Sequence, residues 1–273
     1  MRLRSRTAVV AATVLAATLA LAGCSAGSSS SASGTVTDGK LTIATGQPAY
    51  SPWVEDNKPQ SGEGFESAVA YAVAKEMGYS KSDVVWTRST FDSAIAPGAK
   101  DWDLNIQQFS VTTARKKAVD FSTPYYTTTQ AVVTTSKSKA ADATSVADLK
   151  GDSIGVATGT TSLATVQKDV GVTPQVFNSN DDAILALKSG QIDAVVTDLP
   201  TAFYIASAEL DDGKVIGQFP STGDGDQFAF VLPKGSKVTS KVDTALAALE
   251  KDGTLAELTK TWLSDKVDAP ILK

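Results

Sequence analysis

Residues Asp101 to Tyr126 gather acids, hydroxyls, an arginine and aromatics within one short stretch. A strand is expected to end near Gln107 and Gln108. Ser110, Thr112 and Thr113 then offer hydroxyls where a helix should start, and Arg115 falls in its first turn. A cation there is mildly disfavoured by the helix dipole, so Arg115 has a reason to be engaged elsewhere. A carboxylate is the natural partner, held through two parallel charge-assisted hydrogen bonds. A solvated surface arginine beside Lys116 and Lys117 is the alternative on these residues alone. Histidine is absent and there is one cysteine. That excludes Ser-His-Asp, Cys-His and His-metal chemistry, an intrachain disulfide and a Cys-rich zinc site. Gly151-Asp-Ser-Ile-Gly155 spells a nucleophile elbow, but its serine opens a strand and no histidine can serve it. Asp224-Gly-Asp226 lacks the remaining ligands of a calcium loop. No metal and no cofactor are expected.

The elements that must position these residues alternate. Strands are expected at Leu41–Thr45, Val84–Trp86, Leu104–Ile106, Gln130–Thr135, Ser153–Ala157, Gln175–Phe177, Ile192–Val196 and Phe228–Leu232. Helices are expected at Phe65–Met77, Thr161–Asp169, Asp181–Lys188, Pro200–Ala208, Ser240–Lys251 and Thr254–Leu263, from apolar spacing, from Gly78 and Gly253, and from Pro200 at a first helical position. The alternation predicts an α/β fold with mostly parallel sheets. It comes in two batches, with polar stretches at Thr134–Ala143 and Pro220–Asp226 as the breaks. The chain is therefore expected to cross twice between two lobes, and ligands in such sheets sit beyond the carboxyl ends of strands.

Of 273 residues, 42% are hydrophobic and 20% charged, as in globular chains. The 25 basic and 30 acidic residues give a net charge of −5, which argues against a nucleic-acid partner. Arg2, Arg4 and Arg6 precede an uncharged stretch from Thr7 to Ala22, too short to span a bilayer and typical of a signal peptide. Its end, Leu21-Ala22-Gly23-Cys24, resembles the lipobox of bacterial lipoproteins, which implies cleavage before Cys24 and attachment of a palmitate-bearing diacylglycerol to its thiol. A soluble secreted chain is the alternative. Loss of residues 1–23 removes three arginines and no acid, which leaves 22 basic against 30 acidic residues, a net charge of −8. The Ser-rich stretch 24–39 reads as a flexible tether.

One resemblance covers nearly the whole remaining chain. Ser110-Val111-Thr112 with Arg115, followed by Asp120-Phe-Ser-Thr-Pro-Tyr125, resembles the bacterial extracellular solute-binding proteins of family 3, the amino-acid-binding components of ABC importers. Tyr50-Ser-Pro-Trp53, Gly64-Phe-Glu66, Phe91-Asp-Ser-Ala-Ile95, Gly190-Gln-Ile-Asp-Ala-Val-Val-Thr-Asp198 and Val231-Leu-Pro-Lys-Gly235 resemble further segments of that family. The chain departs from it in Gly46 and Gln47, where many relatives carry an acid, and in Gln107 and Gln108, where many carry Gly or Ser.

The resemblance implies a periplasmic-binding-protein-like type II fold, with two lobes and a ligand cleft between them. Lobe 1 would be 40–127 plus 228–273 and lobe 2 would be 132–222, with hinge segments about 128–131 and 223–227. It implies that Arg115 and Ser110 hold an α-carboxylate, met from the other lobe by Thr160 and Thr161 at a helix start. Asp198 and the Gln108 carbonyl would hold the α-ammonium, and Tyr50, Trp53 and Phe91 would wall the side chain. Asp198 has an alternative as an N-cap for the helix that opens at Pro200. The implied function is non-catalytic capture of an amino acid outside the cell and delivery to ABC permease and ATPase subunits, by a monomer anchored to the outer face of the membrane through Cys24. The alternatives are a dehydratase-like cleft enzyme and a sensory domain on the same scaffold.

Overall fold

The computed structural model describes residues 34–221, 225–263 and 268–273; Cys24 and most of the Ser-rich stretch lie outside them. The strands in chain order are β1 (Leu41–Thr45), β2 (Val84–Arg88), β3 (Leu104–Asn105), β4 (Asp120–Thr128), β5 (Gln130–Thr135), β6 (Ile154–Ala157), β7 (Gln175–Phe177), β8 (Ala194–Asp198), β9 (Gly213–Gln218) and β10 (Asp226–Leu232). The helices are α1 (Phe65–Glu76), α2 (Phe91–Ile95), α3 (Thr161–Thr165), α4 (Asn180–Lys188), α5 (Leu199–Tyr204), α6 (Thr239–Lys251) and α7 (Thr254–Trp262).

They build two five-stranded sheets, in the orders β2-β1-β3-β10-β4 and β7-β6-β8-β5-β9. In the first, β1 runs parallel to β2 and β3, while β10 runs antiparallel to β3 and β4. In the second, β6 runs parallel to β7 and β8, while β5 runs antiparallel to β8 and β9. Half the pairings are thus antiparallel, which corrects the expectation of mostly parallel sheets. The strands that enter from the other sheet are the reversed ones.

Both faces of each sheet are covered, and side-chain alternation assigns residues to the two sides. From β1 and β10, Leu41, Ile43, Phe228, Phe230 and Leu232 pack with α1, α6 and α7, whereas Ala44 and Val231 turn to Trp102, Phe109 and Phe91. From β5 and β8, Ala131, Val133 and Val195 face α4 and α5, whereas Val132, Ala194 and Val196 face the side of Val166 and Val170.

The chain passes from β4 to β5 through Thr129 alone, so the crossing lies before the polar stretch Thr134–Ala143, which instead finishes β5 and forms a short turn that buries Ala140 and Ala141. It returns between β9 and β10. It then crosses a third time, because residues 268–273 pack on the second sheet: Ala269 and Leu272 join its core, and Gln218 bonds Pro270 and Leu272 through the backbone. The assignment of all of 228–273 to lobe 1 is corrected accordingly. The end of the expected tether is also tied down. Thr35 is buried, and the Asp103 carboxylate accepts the amides of Val36 (2.6 Å) and Thr42 (2.7 Å).

β4 escapes pattern reading because Pro124 sits within it. It is an edge strand, where the missing N–H removes no ladder bond.

Candidate functional site

A cavity of about 210 Å³ opens at the carboxyl ends of the parallel strands of both sheets. The first sheet lines it with Gly46 to Tyr50 after β1, Gln107 and Gln108 after β3, and Ser110, Arg115, Phe91 and Asp92. The second contributes Thr158, Thr160 and Thr161 after β6, Asn178 to Asn180 after β7, and Asp198 at the end of β8. Eight of the nine residues singled out for ligand binding therefore line one cavity.

Trp53 is the exception. It is 1% exposed and packs edge-on against Phe65, Tyr126 and Phe228, so the expectation of a wall around the ligand is corrected. Its indole N–H donates instead to the Thr201 hydroxyl at the start of α5 (2.9 Å), a bond from one sheet's lobe to the other's. A buried indole N–H needs a partner, and Thr201 supplies it.

Arg115 lies in a single 3-10 turn, Arg115–Lys117, and not in the expected longer helix; Ser110 stands before it, bridged to Phe228. Arg115 is 9% exposed. It donates to the Ser110 carbonyl (2.7 Å) in its own lobe and to the Gly159 carbonyl (2.8 Å) in the other, and it stacks 5.2 Å from the Phe91 ring centre. Burial pulls its pKa down, while Asp226, Asp198 and Asp92 oppose that pull. Gly159 has φ +70°, which favours glycine, and a Cβ there would make the Asp92 carboxylate turn aside.

Asp198 precedes α5 but makes no side-chain cap bond. Its carboxylate instead accepts the Gln130 amide (2.9 Å). Burial, and then the nearby Asp226, push its pKa up to about 7, against the Gln130 hydrogen bond. Gln130 also donates to Asp226 (2.6 Å), and its oxygen accepts the Ser162 hydroxyl (2.6 Å). Thr161 donates to Asp226 (2.9 Å) and approaches the Ser110 hydroxyl at 3.3 Å. The Thr160 hydroxyl caps α3 by accepting the Leu163 amide (3.3 Å).

Gln108 adopts φ +50°, a left-handed conformation that a non-glycine residue holds only when its surroundings fix it. Glu66, fully buried, fixes it by accepting both the Gln108 amide (2.7 Å) and its side-chain NH2, together with the Tyr125 hydroxyl. Burial raises the Glu66 pKa to about 7, and those hydrogen bonds oppose the rise. Tyr50 reaches across to Asp181 and Ser179 at the start of α4, and burial followed by Asp181 raises its pKa to about 12.

Pattern reading missed Gln130 and Asp226, both of which open strands at the crossings. A polar residue that begins an otherwise apolar strand was the available signal for Gln130. Asp226 was hidden in what looked like a solvated turn. Glu66 stands in the segment Gly64-Phe-Glu66, whose letters alone do not state its role.

Taken together, the cavity presents a buried cation, a half-buried acid and backbone carbonyls from two lobes, which can pair both charges of a small zwitterion. The chain is similar to known amino-acid-binding proteins. The chain is 32% identical to the arginine-binding extracellular protein ArtP of Bacillus subtilis (strain 168) over 257 residues, 90% of this chain and 94% of that one. Among solved structures, an ancestral arginine-binding protein bound to arginine superposes with a TM-score of 0.68 at 33% identity, covering 82% of this chain and 98% of the other. An ancestral amino-acid-binding protein described as a precursor of cyclohexadienyl dehydratase matches with the same TM-score of 0.68 at 30% identity, over 82% and 95% of the two chains. The family model for bacterial extracellular solute-binding proteins, family 3, matches residues 41–265, and the chain belongs to that family.

Proposed function

We propose that the protein captures an amino acid outside the cell and delivers it to the permease of an ABC importer without transforming it. The observation that carries this reading is the shared cavity: Arg115 from one lobe and Asp198 from the other line the same small space. At about 210 Å³ it falls below the ~300–1,000 Å³ of sites for drug-sized ligands, in keeping with a single small metabolite. Arg115 and Ser110 hold the α-carboxylate, with Thr160 and Thr161 opposite. Asp198 and the Gln108 carbonyl hold the α-ammonium. Tyr50 and Phe91 flank the side chain.

Because the guest bridges the lobes, it favours the closed form by the contacts that the open form cannot make. The lobes, 40–127 with 228–263 and 132–221 with 268–273, hinge about 128–131 and where the chain returns from β9 to β10. Cys24 carries the lipid that keeps the domain at the outer face of the membrane.

Thermal-shift and titration screens of the purified protein across the common amino acids test the reading. Binding at a hundredfold excess over Kd should add about 2.7 kcal/mol of apparent stability. A protein that no amino acid stabilises overturns the proposal. A protein that converts its guest, which the dehydratase-precursor neighbour makes worth assaying, replaces capture with catalysis.

A further inference from the structure

We infer that Trp53 and Thr201 are affinity-determining residues that act from outside the cavity: their hydrogen bond forms as the lobes close and strengthens the binding of every guest by one common factor. The inference rests on the lobe closure proposed above and adds to it a pair of residues that the guest does not meet.

The bond stands where closure must make it. Trp53 belongs to the core of the first lobe and Thr201 to α5 of the second, and neither lines the cavity. Each follows a lining residue along the chain, Tyr50 before Trp53 and Asp198 before Thr201. The segments that a guest draws together are therefore the segments that this bond joins. The other bonds between the lobes differ. Arg115 to Gly159 and Ser110 to Thr161 engage residues that line the cavity, and Gln130 to Asp226 sits at the crossings.

The donor is also aimed. The rings of Phe65, Tyr126 and Phe228 meet the indole edge-on, 5.7 to 6.0 Å between centres. The Pro52 and Trp53 carbonyls accept the amides of Phe65 and Glu66 (2.9 Å each), which a helix start would otherwise leave unpaired. Gly64 has φ +94°, and a Cβ there would stand 2.6 Å from the Trp53 carbonyl oxygen, so only bare backbone lets α1 pack this close. Three aromatic rings would accept a phenylalanine among them. The indole adds an N–H, and the acceptor that it finds lies in the other lobe, at 2.9 Å.

With the lobes apart, that N–H meets water. With the lobes together, the Thr201 hydroxyl replaces the water, and without it a donor would be buried unpaired. Apparent affinity scales with the population of the form that holds the guest. The bond therefore multiplies all affinities alike. Neither group titrates between pH 5 and pH 8, so its factor is the same at both.

The test is isothermal titration of the purified protein with the common L-amino acids and L-cystine, one at a time. Thr201→Val keeps the shape and removes the acceptor. It should weaken each guest that binds by about tenfold, by the same factor at pH 8 and pH 5, and leave the Tm of the unliganded protein unchanged. Thr201→Ser, which keeps the hydroxyl, should retain the original affinity. Thr201→Val added to Trp53→Phe should cost nothing further, because the bond is already gone. Unchanged affinity in Thr201→Val, a loss that differs between guests, an equal loss in Thr201→Ser, a lowered Tm without ligand, or additive losses in the double variant overturns the inference while amino-acid capture stands. A protein that binds no amino acid fails the capture reading itself, and the inference with it.

Discussion

Acidification from pH 8 to pH 5 should weaken amino-acid binding by up to about a hundredfold. The perturbed group is Asp198, whose pKa burial lifts to about 7, with Asp226 and Glu66 adding to the rise and Gln130 opposing it. Only the ionised carboxylate pairs with an α-ammonium. With a pKa near 7, roughly nine-tenths of the sites are ionised at pH 8 and about one-hundredth at pH 5. That ratio corresponds to about 2.7 kcal/mol of binding free energy. Folding of the unliganded protein should move the other way. A carboxyl whose folded pKa lies above its unfolded value binds more protons when folded, so stability falls as pH rises through the interval between the two. Without ligand, Tm should therefore rise on acidification toward pH 5, while the ligand-induced increment shrinks. Titrations at several pH values and constant ionic strength read both trends. Glu66, also near 7 and likewise buried, is the competing source. Glu66→Gln should keep the pH slope and Asp198→Asn should abolish it. Affinity that stays level between pH 8 and pH 5 would refute the placement of Asp198 against the ammonium.

Arg115→Ala should cost about 3–5 kcal/mol of binding, the usual range for removal of one partner from a buried charge pair; calorimetry that finds unchanged affinity removes Arg115 from the site. Gly159→Ala should weaken binding, because its Cβ would displace the Asp92 carboxylate beside the Arg115 contact, and the φ of +70° adds roughly 1 kcal/mol of strain; equal affinity by calorimetry would mean that this contact does not matter for the guest. Cys24→Ser should release the protein from the membrane fraction into the medium, and retention of the variant would rule out an anchor through that thiol.

Long, strongly periodic elements were legible. Helix α1 and helix α6 follow their apolar spacing, and β1 and β10 their alternation and flanking turns. The parts that escaped reading depend on contacts distant in sequence. Strand β4 is held as a strand by its pairing with β10, since its own Pro124 argues against one. Strand β9 likewise takes its shape from β5 and from Leu272 packed over Gly217. Nothing in Asp268–Lys273 announces that it docks on the second sheet, because its partners Gln218 and Thr144 lie 50 or more residues away. In the site, Arg115 and Asp198 could be named from a motif, whereas the Gln130 bridge from Asp198 to Asp226 needed three strands in place. Trp53 illustrates the opposite error: an aromatic near a ligand motif turned out to pack in the core and link the lobes through Thr201.

The most direct measurement takes the amino acid that binds tightest and compares it, by calorimetry, with its decarboxylated amine and its deaminated acid. Arg115 and Asp198 each require one of the missing charges, so both analogues should bind at least a hundredfold more weakly than the parent. Either analogue binding as tightly as the amino acid itself would contradict a head group gripped from both lobes.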